Sequence, residues 1–377
     1  MNRLQRYREL MRTLDPSGDP RQALRNGWGV ERPDSSTTNR IARRIELEPW
    51  SQHLLVGGIG SGKTTELWRV HQQLREIGND SGDATFYIDV AARTRLADLA
   101  PGVLAALAGQ QLTQFEAQLR RARGQEQQLP EVTRAIDQIR RIADGYSFWI
   151  PEDDVGDEPD DYDEPRGYHE TVSGVITSPE PPIKHDVARL IPHLRVLKNA
   201  VTAEDGYCIL LFDSLDRVNS TEQLASVLHN DIRALQEAEI GVVVVGPMRL
   251  HYGAHPTLVD LFAQNLHTLA EVEPVDSGLE FLADVLSRRT TPEIMPEQPR
   301  LELARASGGV LRDLIALAKS SAQEAYGSGS DRVEVEHVAR AAEQFGRIRA
   351  VGLDGEQIEV LKKIRKSGTL VIRGERE

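Results

Sequence analysis

The chain has 377 residues, 40% of them hydrophobic, enough to bury a core and to build two or three domains. Its net charge is −13, its single cysteine is Cys208, and no apolar run approaches the roughly 18 to 20 residues that span a bilayer. These facts exclude an intramolecular disulfide, a cysteine-based metal cage and a membrane-spanning helix, and the Arg-rich start without an apolar signal core points to the cytoplasm.

The N-terminal 45 residues carry ten Arg against five acids. They read as a helix over Arg3–Leu14, a turn at Asp15–Pro20 and a second short helix, followed by the turn-rich run GWGVERPDSSTTNR. His53–Gly58 is a short apolar run ending in glycine, the pattern of a buried strand. From Lys63 to Ile77 the apolar residues Leu67, Val70, Leu74 and Ile77 keep helical spacing. Ala84–Val90 reads as a strand. Leu96–Leu107 and Leu112–Ile142 read as helices, with Pro101 and Pro130 marking a start or a break.

The segment from about 146 to 184 breaks the alternation. It is Pro-rich and contains EDDVGDEPDDYDE (Glu152–Glu164), nine acids and no base, which is too charged to bury a core. The pattern resumes with a helix over His185–Val201. Cys208–Asp213 (CILLFD) and Ile240–Gly246 show almost no alternation, so both are strands buried on two faces, with a helix over Gln223–Ala238 between them. Cys208 itself reads as a buried strand residue. His267–Val272 offers a fifth strand. Beyond residue 275 the strands stop, and Ser277–Arg289, Pro299–Ala306, Val310–Tyr326, Val335–Phe345 and Gly355–Lys366 read as helices, the last followed by LVIRG. Strands alternating with helices imply an α/β fold with a parallel sheet covered on both sides. The expected domains are an N-terminal helical segment (1–27), an α/β domain (28–275) with the acidic Pro-rich insertion near 146–184, a helical domain (276–346) and the start of a winged helix (347–377).

Gly57-Gly58-Ile59-Gly60-Ser61-Gly62-Lys63-Thr64 meets every fixed position of GxxxxGK[ST], with a strand before it and a helix after it. The glycines let the backbone curl so that N–H groups point inward at a phosphate, and the helix adds its positive end. Lys63 supplies a point charge to the β/γ oxygens, and Thr64 places a hydroxyl on Mg²⁺; the nucleotide-binding loop is expected to run from Gly57 to Thr65. Asp213 ends a buried strand and so brings a carboxylate to the edge where parallel sheets bind ligands, the second position expected to serve the metal. Ser214 follows it where many ATPases place a Glu that orients water. Asp216 is the nearest acid for that task; capping a helix or pairing with Arg217 is the alternative. Arg249, just past the strand Ile240–Gly246, is a candidate γ-phosphate sensor. Arg312 lies in SGGVLRDL at the start of a helix, where a cation opposes the helix dipole. A phosphate would explain it; an ion pair with Asp313 is the alternative.

The loop GGIGSGKTT, the strand-and-acid motif LLFDSLDR and the motif SGGVLRDL occur in that order, and together they resemble the AAA+ and STAND branch of P-loop ATPases over residues 28 to 345. The resemblance implies a five-stranded sheet in the order 5-1-4-3-2, a C-terminal helical lid, nucleotide in the cleft between them, adenine near Gly29 and Val30, and a sensor role for Arg312. The cofactors it implies are ATP and Mg²⁺. The expected catalytic residues are Lys63, Asp213, Asp216 and Arg312, the expected metal ligands Thr64 and Asp213. Ser214 in place of Glu predicts slow hydrolysis. The function expected from this is a slow ATP-hydrolysing switch that signals by changing conformation or forming a homo-oligomer, with an effector or partner protein, in bacterial anti-phage defence. The alternative is a DNA-associated AAA+ ATPase of transposition or replication loader type, to which the basic start and Lys362, Lys363, Arg365 and Lys366 would contribute. Arg217, Arg233 and Arg249 are each candidates to act in trans as an arginine finger.

Overall fold

A computed structural model describes residues 2–33, 36–78, 83–124, 127–143, 146, 187–203, 206–252 and 256–367. Five strands form one sheet: β1 Gln52–Gly57, β2 Ala84–Asp89, β3 Cys208–Asp213, β4 Ile240–Pro247 and β5 Leu266–Leu269. The helices in chain order are α1 Arg3–Thr13, α2 Pro20–Arg25, α3 Ser36–Leu47, α4 Lys63–Gly78, α5 Val90–Arg93, α6 Val103–Ala122, α7 Pro130–Ala143, α8 Ile191–Val201 and α9 Thr221–Glu237. They continue with α10 Arg249–Tyr252, α11 Pro256–Phe262, α12 Asp276–Ser287, α13 Glu297–Ala306, α14 Leu311–Gly327, α15 Val335–Ala350 and α16 Gly355–Ser367.

The sheet order is β2-β3-β4-β1-β5, which read from its other edge is the 5-1-4-3-2 order implied by the motifs. Every pairing is parallel. Strands β1, β3 and β4 are buried at every residue, which is why they read as unbroken apolar runs, whereas the edge strand β2 alternates. One face of the sheet builds a core with residues of α6, α7, α8 and α9, among them Leu104, Ile139, Leu194 and Leu228 around Leu210 and Phe212. The other face packs Ile41, Ala42 and Ile45 of α3 and Leu67, Val70 and Leu74 of α4 onto Leu55, Leu211 and Val243. Cys208 is buried in β3, and burial pushes its thiol up to about 12.

Helix α3 begins inside the run expected to be turns. Its Ser, Thr and Asn residues favour caps and turns, and among the helix's described side chains only Thr38, Ile41, Ala42 and Ile45 are buried, so the stripe is short in a stretch rich in arginine. Expected single helices were also subdivided. Pro130 starts α7 rather than kinking a longer helix, and a 3-10 turn over Val187–Leu190 precedes α8. Helices α10 and α11, between β4 and β5, had no counterpart among the expected elements. The acidic block and LVIRG lie outside the described residues. Of the segment 146–184 only Tyr146 is described; its hydroxyl donates to the Pro101 carbonyl at 2.6 Å.

The chain divides into two compact units, one of residues 19–26 and 31–272 holding the sheet, the other of residues 1–18, 27–30 and 273–377. In the helical unit, the Arg3 guanidinium closes the C-terminal end of α14 by donating to the carbonyls of Ala325, Tyr326 and Ser330, and it lies over the Tyr326 ring at 4.6 Å. Gly308 and Gly309 both have positive φ, 59° and 87°, and form the turn between α13 and α14. Among the described residues no helix is long and apolar enough to cross a membrane.

A buried carboxylate ties two helices of the sheet unit together. Asp231 on α9 is fully buried and accepts from the backbone N–H groups of Gly102 at 2.7 Å and Ala105 at 2.9 Å, at the N-terminus of α6. Burial outweighs those hydrogen bonds and raises its pKa to about 7, from 3.8. The folded chain therefore keeps a proton that the unfolded chain releases, so this group favours folding fully below 3.8 and loses that contribution as pH rises toward 7. Asp231→Asn cannot titrate. In urea unfolding across pH 4 to 7 (about the window between the two values), the wild type should lose stability relative to the variant as pH rises; parallel curves would contradict the assignment.

Candidate functional site

Strand β1 delivers its chain to the carboxyl edge of the sheet and ends on Gly57, where the chain must turn in tight space. A Cβ on Gly57 would lie 2.6 Å from the Leu269 carbonyl oxygen of β5 and 2.9 Å from Ser61 Oγ. Gly60 and Gly62 have φ of 85° and 96°, the left-handed region that glycine enters without strain. Ile59 projects from the loop, 75% exposed. The loop closes on itself through Ser61 N–H to the Gly58 carbonyl at 3.3 Å, and helix α4 starts at Lys63. Thr64 and Thr65 fall in its first turn. Ser61 Oγ is buried and, among the described residues, has no hydrogen-bond partner. A buried hydroxyl left so beside a helix N-terminus suits an anionic oxygen.

Lys63 is 4% exposed. Its Nζ donates to the carbonyls of Gly57 at 3.1 Å and Gly58 at 2.7 Å, and forms an ion pair with Asp216 at 2.9 Å. Asp216 sits in a short 3-10 turn, Leu215–Arg217, directly after β3. Its ion-pair partner is thus the loop lysine across the sheet edge, not the adjacent Arg217 that sequence reasoning offered as the alternative.

Asp213 is 1% exposed at the end of β3. Ser214 N–H donates to its Oδ1 at 2.7 Å, the Tyr87 hydroxyl to its Oδ2 at 2.6 Å, and Thr64 hydrogen-bonds to the same carboxylate. Burial raises its pKa above the usual carboxylate value, while these hydrogen bonds oppose the shift. Asp89, its register partner on β2, adds a smaller upward push. Thr64 and Asp213 are hard oxygen donors in mutual contact, a set whose chemistry fits Mg²⁺. Ser214 has φ of 70° without being glycine, so the turn after Asp213 is held in a costly conformation at the edge of the site.

Three flanking groups carried no sequence signal. Arg32 is 4% exposed and donates to the carbonyls of Ser61 at 2.9 Å and Ala270 at 2.7 Å, bracing the loop against the chain that leaves β5. Glu66, in the first turn of α4, accepts from Thr38 at 2.5 Å and pairs with Arg69 at 3.0 Å, so it locks α3 to the loop helix. Tyr87 is the third such residue; nothing marks a strand tyrosine as the partner of an aspartate far along the chain.

The structure brings Lys63, Thr64, Asp213 and Asp216 together. Arg249 is exposed at the start of α10, just past β4, which lies between β1 and β3. Arg217 and Arg233 are exposed on the sheet unit. Arg312 is exposed in the first turn of α14 in the helical unit. Asp313 pairs with Arg349 of α15, so the expected alternative partner of Arg312 is engaged elsewhere. Beside Gly29 and Val30, the Arg289 guanidinium lies 5.5 Å from the Trp28 ring centre and donates to the Trp28 carbonyl at 3.2 Å.

No protein-family model and no curated protein matches the sequence. Solved structures do match its fold. The ORC2 protein of Aeropyrum pernix in its ADPNP-ADP complexes superposes with a TM-score of 0.51 at 14% identity, covering 95% of this chain and 78% of that one. Its ADP form gives 0.50 at 14% identity, over 96% and 80%. The ORC1 protein of the same organism in complex with DNA gives 0.49 at 16% identity, over 90% and 73%. At such identities the likeness is one of fold. With the strand order and the loop between β1 and α4, it establishes that the chain has the AAA+ P-loop NTPase fold.

Proposed function

We propose that the chain binds ATP with Mg²⁺ and hydrolyses it slowly, as an AAA+ switch whose state depends on the bound nucleotide. The observation that carries this reading is the grouping of the Lys63–Asp216 ion pair with the Thr64–Asp213 contact at the mouth of the glycine loop. The ADPNP and ADP named for the ORC2 structures support a nucleoside polyphosphate as the ligand.

The loop N–H groups from Gly58 to Thr65 and the positive end of α4 receive the phosphates. Lys63 exchanges its carbonyl partners for phosphate oxygens while staying within reach of Asp216. Thr64 and Asp213 would hold Mg²⁺, which neutralises phosphate charge when bound. Asp216 supplies a carboxylate to accept a proton from the attacking water. Ser214 lacks a carboxylate, and Asp216 is held in an ion pair with Lys63 rather than free to meet that water, so turnover is slow. Arg312 is our candidate nucleotide sensor, on the strength of its motif. Arg217, Arg233 and Arg249 are exposed, as a finger acting in trans requires, and a homo-oligomer is the assembly that would use one.

Among finer readings we favour a DNA-associated ATPase over a signalling switch of a defence system. Lys362, Lys363 and Lys366 are exposed on one side of α16, a spacing suited to tracking phosphates. The signalling reading rests on the motif from Asp213 to Arg217 and on the expected start of a winged helix, whose LVIRG lies outside the described residues. A mobility shift on duplex DNA should weaken with salt, and Lys363→Ala with Lys366→Ala should lower the salt slope by about two. Absence of any shift, with a change of size between ATP and ADP in size-exclusion chromatography, would return the reading to the signalling switch.

For the site itself, Lys63→Ala should abolish binding of a fluorescent ATP analogue. Asp216→Asn should leave binding within a few-fold of wild type and cut steady-state phosphate release by about 10² or more. An Asp216→Asn enzyme that turns over like wild type would reduce Asp216 to a tether for Lys63. A wild type with tight binding and no turnover would make the chain a nucleotide-loaded scaffold.

A further inference from the structure

The carboxylate of Asp213 is gripped at both oxygens by groups from different parts of the sheet unit. Ser214 N–H fixes Oδ1 and the Tyr87 hydroxyl fixes Oδ2, so rotation about the Cβ–Cγ bond is blocked from both sides. Tyr87 pairs in register with Leu211, two residues before Asp213, and so reaches its partner diagonally on the face that packs against α3 and α4. Its ring is placed by α4. Trp68 meets it edge-on at 5.0 Å, and His71 lies at 6.4 Å and stacks on Trp68 at 4.7 Å. Arg21 of α2 sits over Trp68, 5.8 Å from the ring centre.

We propose that Tyr87 is a positioning residue for Asp213, fixing the orientation in which that carboxylate and Thr64 receive Mg²⁺. This rests on the reading of Thr64 and Asp213 as the metal-holding pair. The argument is geometric. Without the Tyr87 donor the carboxylate would be held by its own neighbour and by Thr64, itself a metal-holding group, and could swing, and each competing orientation would lower the share of the chain ready for the cation. Groups that orient a ligating carboxylate in this way commonly change metal affinity by 10- to 100-fold (about that range) when removed. The aromatic packing gives Tyr87 its aim, and the hydroxyl alone gives it its effect. The role therefore separates cleanly from the packing.

Tyr87→Phe keeps the ring against Trp68 and His71 and removes only the donor. The measurement is affinity for a fluorescent ATP analogue, first in EDTA and then across a Mg²⁺ titration, for wild type, Tyr87→Phe and Asp213→Asn. Tyr87→Phe should bind as wild type in EDTA and need about tenfold more Mg²⁺ for half its metal-dependent gain. Asp213→Asn should lose most of that gain. A Tyr87→Phe titration that overlays wild type while Asp213→Asn is displaced would overturn the positioning role and leave the metal reading standing. Equal loss of affinity in EDTA and in Mg²⁺ would make Tyr87 a structural residue and also overturn it. An Asp213→Asn titration that overlays wild type would bring down the metal reading, and this proposal with it.

Discussion

An ammonium group that is almost fully buried must be surrounded by acceptors, and the environment of Lys63 organises the whole carboxyl edge of the sheet. Burying an unpaired cation is far costlier than any single contact in this protein recovers. The chain meets that demand with two loop carbonyls and Asp216. The carbonyls are available only because the loop curls, and the curl needs left-handed backbone at Gly60 and Gly62. Asp216 is available only because the chain turns sharply after β3 into a 3-10 turn that begins at a left-handed Ser214. The strain at Ser214 thus has a structural counterpart: the turn brings a carboxylate back over the lysine and, in the same step, points its own N–H at Asp213.

This explains which parts of the site could be read from sequence. The loop and Asp213 are legible because each is specified by neighbours a few residues away: a glycine pattern ahead of a helix, and an acid at the end of an apolar run. The same holds for the sheet, whose buried strands carry unbroken runs, and for the strand order, which followed from the motif resemblance. The partner of Asp216 was not legible, because the adjacent Arg217 and the distant Lys63 are equally good cations on paper. Tyr87 and Arg32 were invisible for a related reason. One meets an aspartate 126 positions away, the other a carbonyl 29 positions away. Only the packing of β2 beside β3, and of the chain before α3 against the loop, creates those pairs. Helix α3 fell in the same gap, since its four inward residues are outnumbered by arginines and hydroxyl side chains that suggest a turn.

The charge distribution at the site has a further consequence. Asp89, Asp213 and Asp216 lie at the ends of adjacent strands or just beyond them, and Glu271 leans over Gly58 so closely that its Oε1 lies 2.0 Å from where a Cβ would sit. Four carboxylates around one loop would repel a polyphosphate unless matched by cations. Lys63 is buried within the loop itself, Arg32 is buried against it, and Arg21 stands behind Tyr87 with Asp89 among its electrostatic partners. A divalent cation held by Thr64 and Asp213 would complete that balance, so on the proposed reading the acid-rich edge would favour a nucleotide that arrives with its metal over a bare polyphosphate.

The same arrangement bears on rate. A proton acceptor works best when nothing else holds its charge, yet Asp216 is bonded to the lysine that a bound phosphate would also need. In the proposed reaction Lys63 would be shared between the two, so phosphate binding and the freedom of the Asp216 carboxylate would be coupled through one ammonium group. An enzyme with a separate glutamate beside its metal aspartate has no such coupling. In this chain the position after Asp213 is a serine in a left-handed turn, a conformation that any residue with a Cβ adopts only at a cost. The backbone that brings Asp216 onto Lys63 thus carries strain at the position where such an enzyme has its glutamate, and on the proposed reading slow turnover would follow from the turn and the serine together.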